Sequence, residues 1–267
     1  GFRQGLLRTI VKRLFDVLAS LVLLILAAYA GAVARRYPWI DAWTPVNEPL
    51  TTARFSALYG HWYPHHKRFD SFAAALVNQC LGTLRAMAAI RRVIPAATLI
   101  QTEDIGRTFA TPSLSRQADH DNRRSWLSLD LLFGRVAPGH PFYRRLRNAG
   151  IAVELLEELE SGAGRPDIVG VNHYLTSDRF LDQRADRYPG EHVGGNGRQR
   201  YVDVEAVRAL EQAATLQPMN PHAWYQLGMA RHTTGNTERF EQVVMHLLRF
   251  DPKMTRRLIL DAGRSDL

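Results

Sequence analysis

Three short strand-like runs, held far apart in the chain, constrain its fold more than any other feature. They are WTPVN (43–47), ATLIQTED (97–104) and DIVGVNHY (167–174). β-Branched and apolar residues suit each of them to a strand, and helical sequence rather than a tight turn separates them. Strands divided by helices pair in parallel through right-handed crossovers, which predicts α/β architecture. Each run also ends in polar residues: Asn47 and Glu48, Glu103 and Asp104, Asn172 and Tyr174. In a parallel sheet those ends share one rim, where parallel barrels collect their chemistry. Pro49, unable to donate to a ladder, closes the first run just after Glu48, and Trp43 is expected to wall the carboxyl with apolar surface.

Between the strands, Phe72, Leu76, Cys80, Leu84 and Met87 recur at helical spacing, predicting a helix over Ser71–Arg92 with Asp70 as its N-cap and Pro95 beyond its end. Further helices are expected over Ser113–Phe133, closed by Gly134, and over Ala152–Glu160.

At 267 residues and 46% hydrophobic content the chain has room for one large domain or two small ones. Its net charge of +8 comes from scattered arginines, with only Lys12, Lys67 and Lys253 as lysines. No basic run is interleaved with aromatics, so no nucleic-acid partner is expected. Cys80 is the only cysteine, which excludes an intrachain disulfide and fits the cytoplasm or the cytoplasmic face of a membrane. His61, His65 and His66 lie close together without a carboxylate or thiol partner, so no metal site is expected. GGNG (194–197) does not join a strand to a helix as a phosphate loop must; it reads as part of a linker over 191–203, and no cofactor is expected.

The N-terminus departs from this globular pattern. Val17–Ala34 carries no charge over 18 residues and is flanked by Arg3, Arg8, Lys12, Arg13, Arg35 and Arg36. Such a run is long enough for a membrane anchor; a secretory signal with Ala28-Tyr29-Ala30 as its cleavage site and a buried core helix are the alternatives. Lys12–Ala28 resembles the membrane segment that opens the catalytic module of bacterial polyprenyl-phosphate sugar transferases. That resemblance implies membrane contact through residues 12–34 and no transferase activity. Residues 1–28 are therefore set apart as an anchor-like helix.

From about Tyr29 to about Tyr188 the sequence resembles glycoside hydrolase family 1, the retaining β-glucosidases built on a (β/α)8 barrel. YAGAVARRYPWIDAWTPVNEP resembles the family's helix and fourth strand with its T-x-NEP signature, and LYGHWYP, with Gly60 and Pro64, the loop that follows. DIVGVNHYLTS resembles the sixth-strand G-x-N-Y-Y signature, with His173 in place of the first tyrosine. The resemblance implies an incomplete TIM barrel over residues 29–190 and a β-linked sugar or glycoside as ligand. It makes Glu48 the general acid/base, Asn47 the residue that binds the hydroxyl beside the anomeric carbon, and Asn172 and Tyr174 substrate-binding residues. Retaining hydrolysis needs a second carboxylate about 5–5.5 Å from the first. The family carries it in a T-E-N-G signature that is not found after Tyr174, and its first three strands have no counterpart before Tyr29. Glu103 or Asp104 is the available substitute, and impaired catalysis is expected.

Residues 204–267 read as helix alone. Asn220–Pro252 matches the tetratricopeptide consensus at Trp224, Leu227 and Gly228, with a turn at Gly235. Pro218 and Pro252, Ala213 and Leu247, and Ala206 and Phe240 are each 34 residues apart, the period of that repeat. Helices are expected over about 221–234 and 237–249 with Trp224, Leu227 and Phe240 between them. The resemblance implies a protein partner, and with it an alternative role as a membrane-associated interaction protein.

Overall fold

The computed structural model describes residues 28–267 except Ala163, Leu175, Pro189, Thr234 and Ser265. In chain order the elements begin with a helical segment at 28–36 (α1), β1 (Ala42–Trp43), α2 (Pro49–Ala53), α3 (Phe69–Arg91) and β2 (Thr98–Asp104). Next come β3 (Thr108–Ala110), α4 (Ser115–Arg124), α5 (Leu127–Leu132), α6 (Tyr143–Asn148), α7 (Val153–Glu160) and β4 (Ile168–Asn172). The remainder is β5 (Arg179–Asp182), β6 (Val193–Gly195), β7 (Arg200–Glu205), α8 (Ala206–Leu216), α9 (Pro221–Thr233), α10 (Thr237–Leu248) and α11 (Pro252–Asp261). Two compact units divide these elements. One comprises the described residues up to Asp104 with Ser125–Asn172; the other comprises Ile105–Arg124 with His173–Leu267.

In the first unit the three expected strands form one sheet, in the order β1-β2-β4 and all parallel. Alternation along β2 turns Leu99, Gln101 and Glu103 inward to a buried face. Helix α3 covers a core in which Phe72, Leu76, Cys80 and Leu81 pack against Leu127, Leu131 and Leu156. Its N-cap is Arg68 rather than Asp70. Asp70 sits inside the first turn, where its carboxylate accepts from the Arg68 guanidinium and from the Ser71 N–H. By length and composition α3 could cross a membrane, yet most of it is buried within this fold, as befits a core helix. The outer strand β4 leaves Ile168, Val169 and Val171 in water, an apolar open edge.

Of the expected membrane segment, Val17–Ala27 lies outside the described residues. At the described end of that apolar run, Ala34 is fully buried against Met87, Ile90 and Leu99, with Ala30 packed beside it. The helix expected over Ser113–Phe133 is broken at Ser125 and Trp126, because its halves answer to different cores. Leu127, Leu131 and Leu132 pack in the first unit, whereas Ala118 packs with Leu181 and Tyr201 in the second.

The second unit contains a sheet that was not expected, ordered β3-β5-β7-β6. Its β3–β5 pair is parallel and the others are antiparallel. The expected linker at 191–203 is thus a hairpin. Asn196 builds its turn by accepting the N–H groups of Arg198 and Gln199, and Gly197 supplies a positive φ. Beyond it, Leu227, Phe240, Val243, Leu247 and Leu258 form the core of the helical tail. The bounds of α9 and α10 fall close to expectation. Gly228 permits the close approach: a Cβ there would meet Leu258 at 2.6 Å. Trp224 is only half-buried, its ring 3.9 Å from that of His246 and its indole N–H donating to the Pro218 carbonyl.

Candidate active site

Pro45 explains how Glu48 reaches the rim. With no N–H at that residue the β1 ladder stops after Trp43, shorter than the expected WTPVN strand. Individual bonds then lay the chain along β2. Thr44 Oγ1 donates to the Ile100 carbonyl (2.9 Å), Gln101 Nε2 to the Val46 carbonyl (3.0 Å), and the Glu48 N–H to the Thr102 carbonyl (3.3 Å). Glu48 thereby arrives beside the C-terminal end of β2, and its own carbonyl accepts the Thr52 N–H as α2 begins. Its backbone is left-handed, φ 46° and ψ 59°. For an L-residue with a Cβ that conformation costs roughly 1–2 kcal/mol.

Three of the four expected site residues meet here. Asn172 Nδ2 donates to Glu48 Oε1, and Asn47 Oδ1 accepts from Thr102 Oγ1 at 2.6 Å. Asn172 stands opposite Asp104 in the β2–β4 register, and Gly170 opposite Thr102. A Cβ at Gly170 would fall 2.7 Å from Thr102 Cγ2, so the glycine keeps the threonine where it can hold Asn47. Thr102 and Gly170 are the supporting residues that sequence reasoning missed; only the register exposes them. Asn47 is exposed and Glu48 half-buried, which leaves an amide and a carboxyl open to a ligand at one rim.

Glu103, one of the two substitute carboxylates, does not join them. Glu103 alternates to the other face of β2, where it is fully buried and accepts from the Leu50 N–H (2.9 Å), the Thr51 N–H (3.2 Å), Thr51 Oγ1 (3.1 Å) and Ser128 Oγ (2.7 Å). It satisfies the open N–H groups at the start of α2, a structural task. Burial raises its pKa against the opposing pull of those hydrogen bonds. Asp104 lies 3.6 Å from the Arg54 guanidinium.

Other expected residues are placed differently. Tyr174 belongs to the second unit, where it is 54% exposed and its N–H donates to Ser177 Oγ. Trp43 stands opposite Leu99, toward the start of β2, and packs with the Met87 and Ile90 cluster rather than beside the carboxyl. His61 packs edge-on to Phe55, and His65 Nδ1 lies 3.1 Å from the Gly60 carbonyl. Among the described residues no three His, Cys, Asp or Glu side chains gather as metal ligands. Cys80 is buried in the core, and burial pushes its thiol pKa up.

A parallel sheet with helices between its strands and polar groups at its C-terminal rim defines this part of the chain as α/β. It matches part of the barrel fold of solved β-glucosidases. The family 1 β-glucosidase from Thermotoga maritima is similar over 60% of this chain and 36% of its own, with a TM-score of 0.51 and 16% identity. The same enzyme in complex with noeuromycin is similar over 73% of this chain and 45% of its own, at TM-score 0.54 and 14% identity. In complex with glucoimidazole the values are 62% and 38%, at 0.52 and 15%. The chain therefore spans less than half the length of the enzymes it resembles. No family profile and no curated protein matches the sequence.

Proposed function

We propose that the first unit is a glycoside-binding module of glycosidase type, with Glu48 as its acid/base and Asn47 and Asn172 as its sugar-binding amides. The observation that carries this reading is the convergence of Asn172 on Glu48, a carboxylate held in a costly backbone conformation at the rim of a parallel sheet. Support comes from the fold, since the Thermotoga enzyme of that fold holds noeuromycin and glucoimidazole. Glu48 protonates the leaving glycosidic oxygen and then deprotonates the attacking water, while an amide at Asn47 bonds the neighbouring hydroxyl more strongly as the ring flattens.

A retaining reaction also needs a nucleophile; Glu103 is committed to α2, and Asp104 is ion-paired with Arg54 at 3.6 Å. The chain on its own is thus expected to bind glycosides and to turn them over slowly. Calorimetric titration with a 4-nitrophenyl β-glucoside, alongside its hydrolysis, tests both halves. Asn172→Ala weakens binding by about tenfold, and Glu48→Gln lowers any residual rate by about 10²–10⁴-fold. Failure of the glucoside to bind, or indifference to Asn172→Ala, refutes the site. Rapid turnover that is lost in Glu48→Gln refutes the impairment.

A second reading concerns the tail, where the 34-residue spacing and the packing of Leu227, Phe240 and Leu247 support a tetratricopeptide-like helical unit that recruits a protein. Capture of a partner that depends on α8–α11 tests it.

A further inference from the structure

The second unit contains a pocket that the glycoside reading does not use, an open groove with a volume of about 810 Å³. Phe109 of β3 and Phe180 of β5 form one wall. Ala206, Ala209, Ala213 and Leu216 of α8 form the other, since positions three and four apart share one face of a helix. Much of this apolar lining is left to water: Ala213 is exposed, and Phe109 and Leu216 are 42% and 60% exposed. Among the polar groups of the lining, Arg184 donates to both oxygens of Asp182 (2.7–3.1 Å), so that pair specifies no charge in an occupant.

The chain shows elsewhere what such a helix face packs against. Ala206, Ala209 and Ala213 stand 34 residues before Phe240, Val243 and Leu247 of α10, which is the period of the repeat. Those three are buried, and α9 covers them. The Phe240 ring lies 5.4 Å from that of His232, a Cβ at Gly228 would meet Val243 at 3.1 Å, and Leu247 shares a core with Leu227. In chain order β7, not a helix, precedes α8, so the equivalent face of α8 has no such cover. The other end of the tail is finished differently. There α11 exposes Lys253, Arg256 and Arg257, the polar outer face of a capping helix. The same charges make α11 of a second copy a poor occupant of an apolar groove.

We propose that the groove receives an amphipathic helix from a partner protein, which lies on Ala206, Ala209 and Ala213 as α9 lies on α10. This deepens the reading of the tail as a tetratricopeptide-like unit, on which it rests. Because alanines stand where α10 carries Phe, Val and Leu, the incoming helix supplies side chains of leucine size at i, i+3 and i+7 to fill the space.

The test is titration of the methyl-labelled whole chain with a lactam-bridged peptide of about four turns whose leucines fall at i, i+3 and i+7, against a peptide of the same composition with its leucines spread around the helix. One copy of the first peptide is expected per chain, bound at least about tenfold more tightly than the second. It should shift the methyl resonances of Ala206, Ala209 and Ala213 and leave those of Val243 and Leu258 in place. Ala213→Glu, at an exposed position, weakens it by at least about tenfold. Unchanged circular dichroism shows that the variant folds; if it does not, the wild-type shifts decide. Equal binding of the two peptides, no binding, shifts elsewhere, indifference of the folded variant, or a dimer of the chain that buries these methyls would each overturn the proposal. A nuclear Overhauser contact between the His232 and Phe240 rings tests the helical unit separately. If it is present while no peptide binds, the groove fails and the unit stands; if it is absent, the reading of the tail fails and takes the groove with it.

Discussion

Each unit withdraws one strand carboxylate from water, Glu103 on β2 and Asp182 on β5, and the two are treated in opposite ways. Glu103 receives only neutral donors, two backbone N–H groups and two hydroxyls. Burial outweighs those bonds and raises its pKa. At Asp182 burial is again the largest influence, but the Arg184 guanidinium, the Arg184 N–H and Tyr188 together overcome it and hold the carboxyl below its ordinary range. Tyr188, partly buried beside that negative charge, is pushed up to about 12. Loss of water alone therefore does not decide whether a carboxylate stays ionised; the charge of its partners does. The first unit uses its carboxylate to organise backbone, whereas the second uses its own to anchor an arginine at a pocket.

Glu103→Ala is the largest expected test of that contrast. It strands several donors in the core, each worth about 1–3 kcal/mol, so a loss of about 3 kcal/mol or more is expected in chemical denaturation. Asp182→Ala costs less, about 1–2 kcal/mol, because the Arg184 side chain is 44% exposed and can turn to water. The reverse order would break the comparison.

The pH dependence follows with opposite signs. The stability linked to Glu103 is full below its ordinary value of 4.5 and is lost as pH rises through the higher folded value. That linked to Asp182 is full above its ordinary value of 3.8 and is lost as pH falls through the lower folded value. In melts across pH, Glu103→Gln should flatten the loss on the rising side and Asp182→Asn the loss on the acid side. A matching slope in both variants would refute the contrast.

Smaller effects sharpen the picture. Trp224→Ala, at a half-buried ring, should cost about 1–3 kcal/mol by hydrogen exchange in α9, less than the about 3–5 kcal/mol typical of a fully buried aromatic. Gly170→Ala should crowd Thr102, loosen its bond to Asn47 and weaken a bound glucoside by a few-fold, about 1 kcal/mol for one hydrogen bond. An unchanged affinity would remove Thr102 from the site.

The parallel sheet was legible because its strands alternate with helices, and the shared rim position of Glu48 and Asn172 was legible from the polar residues that close the strand-like runs, although β1 itself stops at Trp43. The hairpin at 193–205 escaped because its glycines read as a spacer. Asn196-Gly197 followed by RYVDVE is nevertheless a hairpin signal on its own terms. The break between α4 and α5 could not be read, since it depends on which of two cores each half joins. The roles of Glu103 and Trp43 escaped for a related reason: strand periodicity assigns opposite faces to neighbours, but not which face the helices cover.

The backbone at Glu48 has a consequence for how this protein changes under selection. Glycine adopts φ 46° without penalty, and asparagine tolerates it better than glutamate does. A library sorted only for heat resistance should therefore drift at position 48 toward glycine, discarding the carboxyl in the process. A library sorted on an immobilised glucoside should keep glutamate despite its cost. Opposite outcomes from the same starting pool would separate what the chain needs in order to fold from what the proposed sugar site needs.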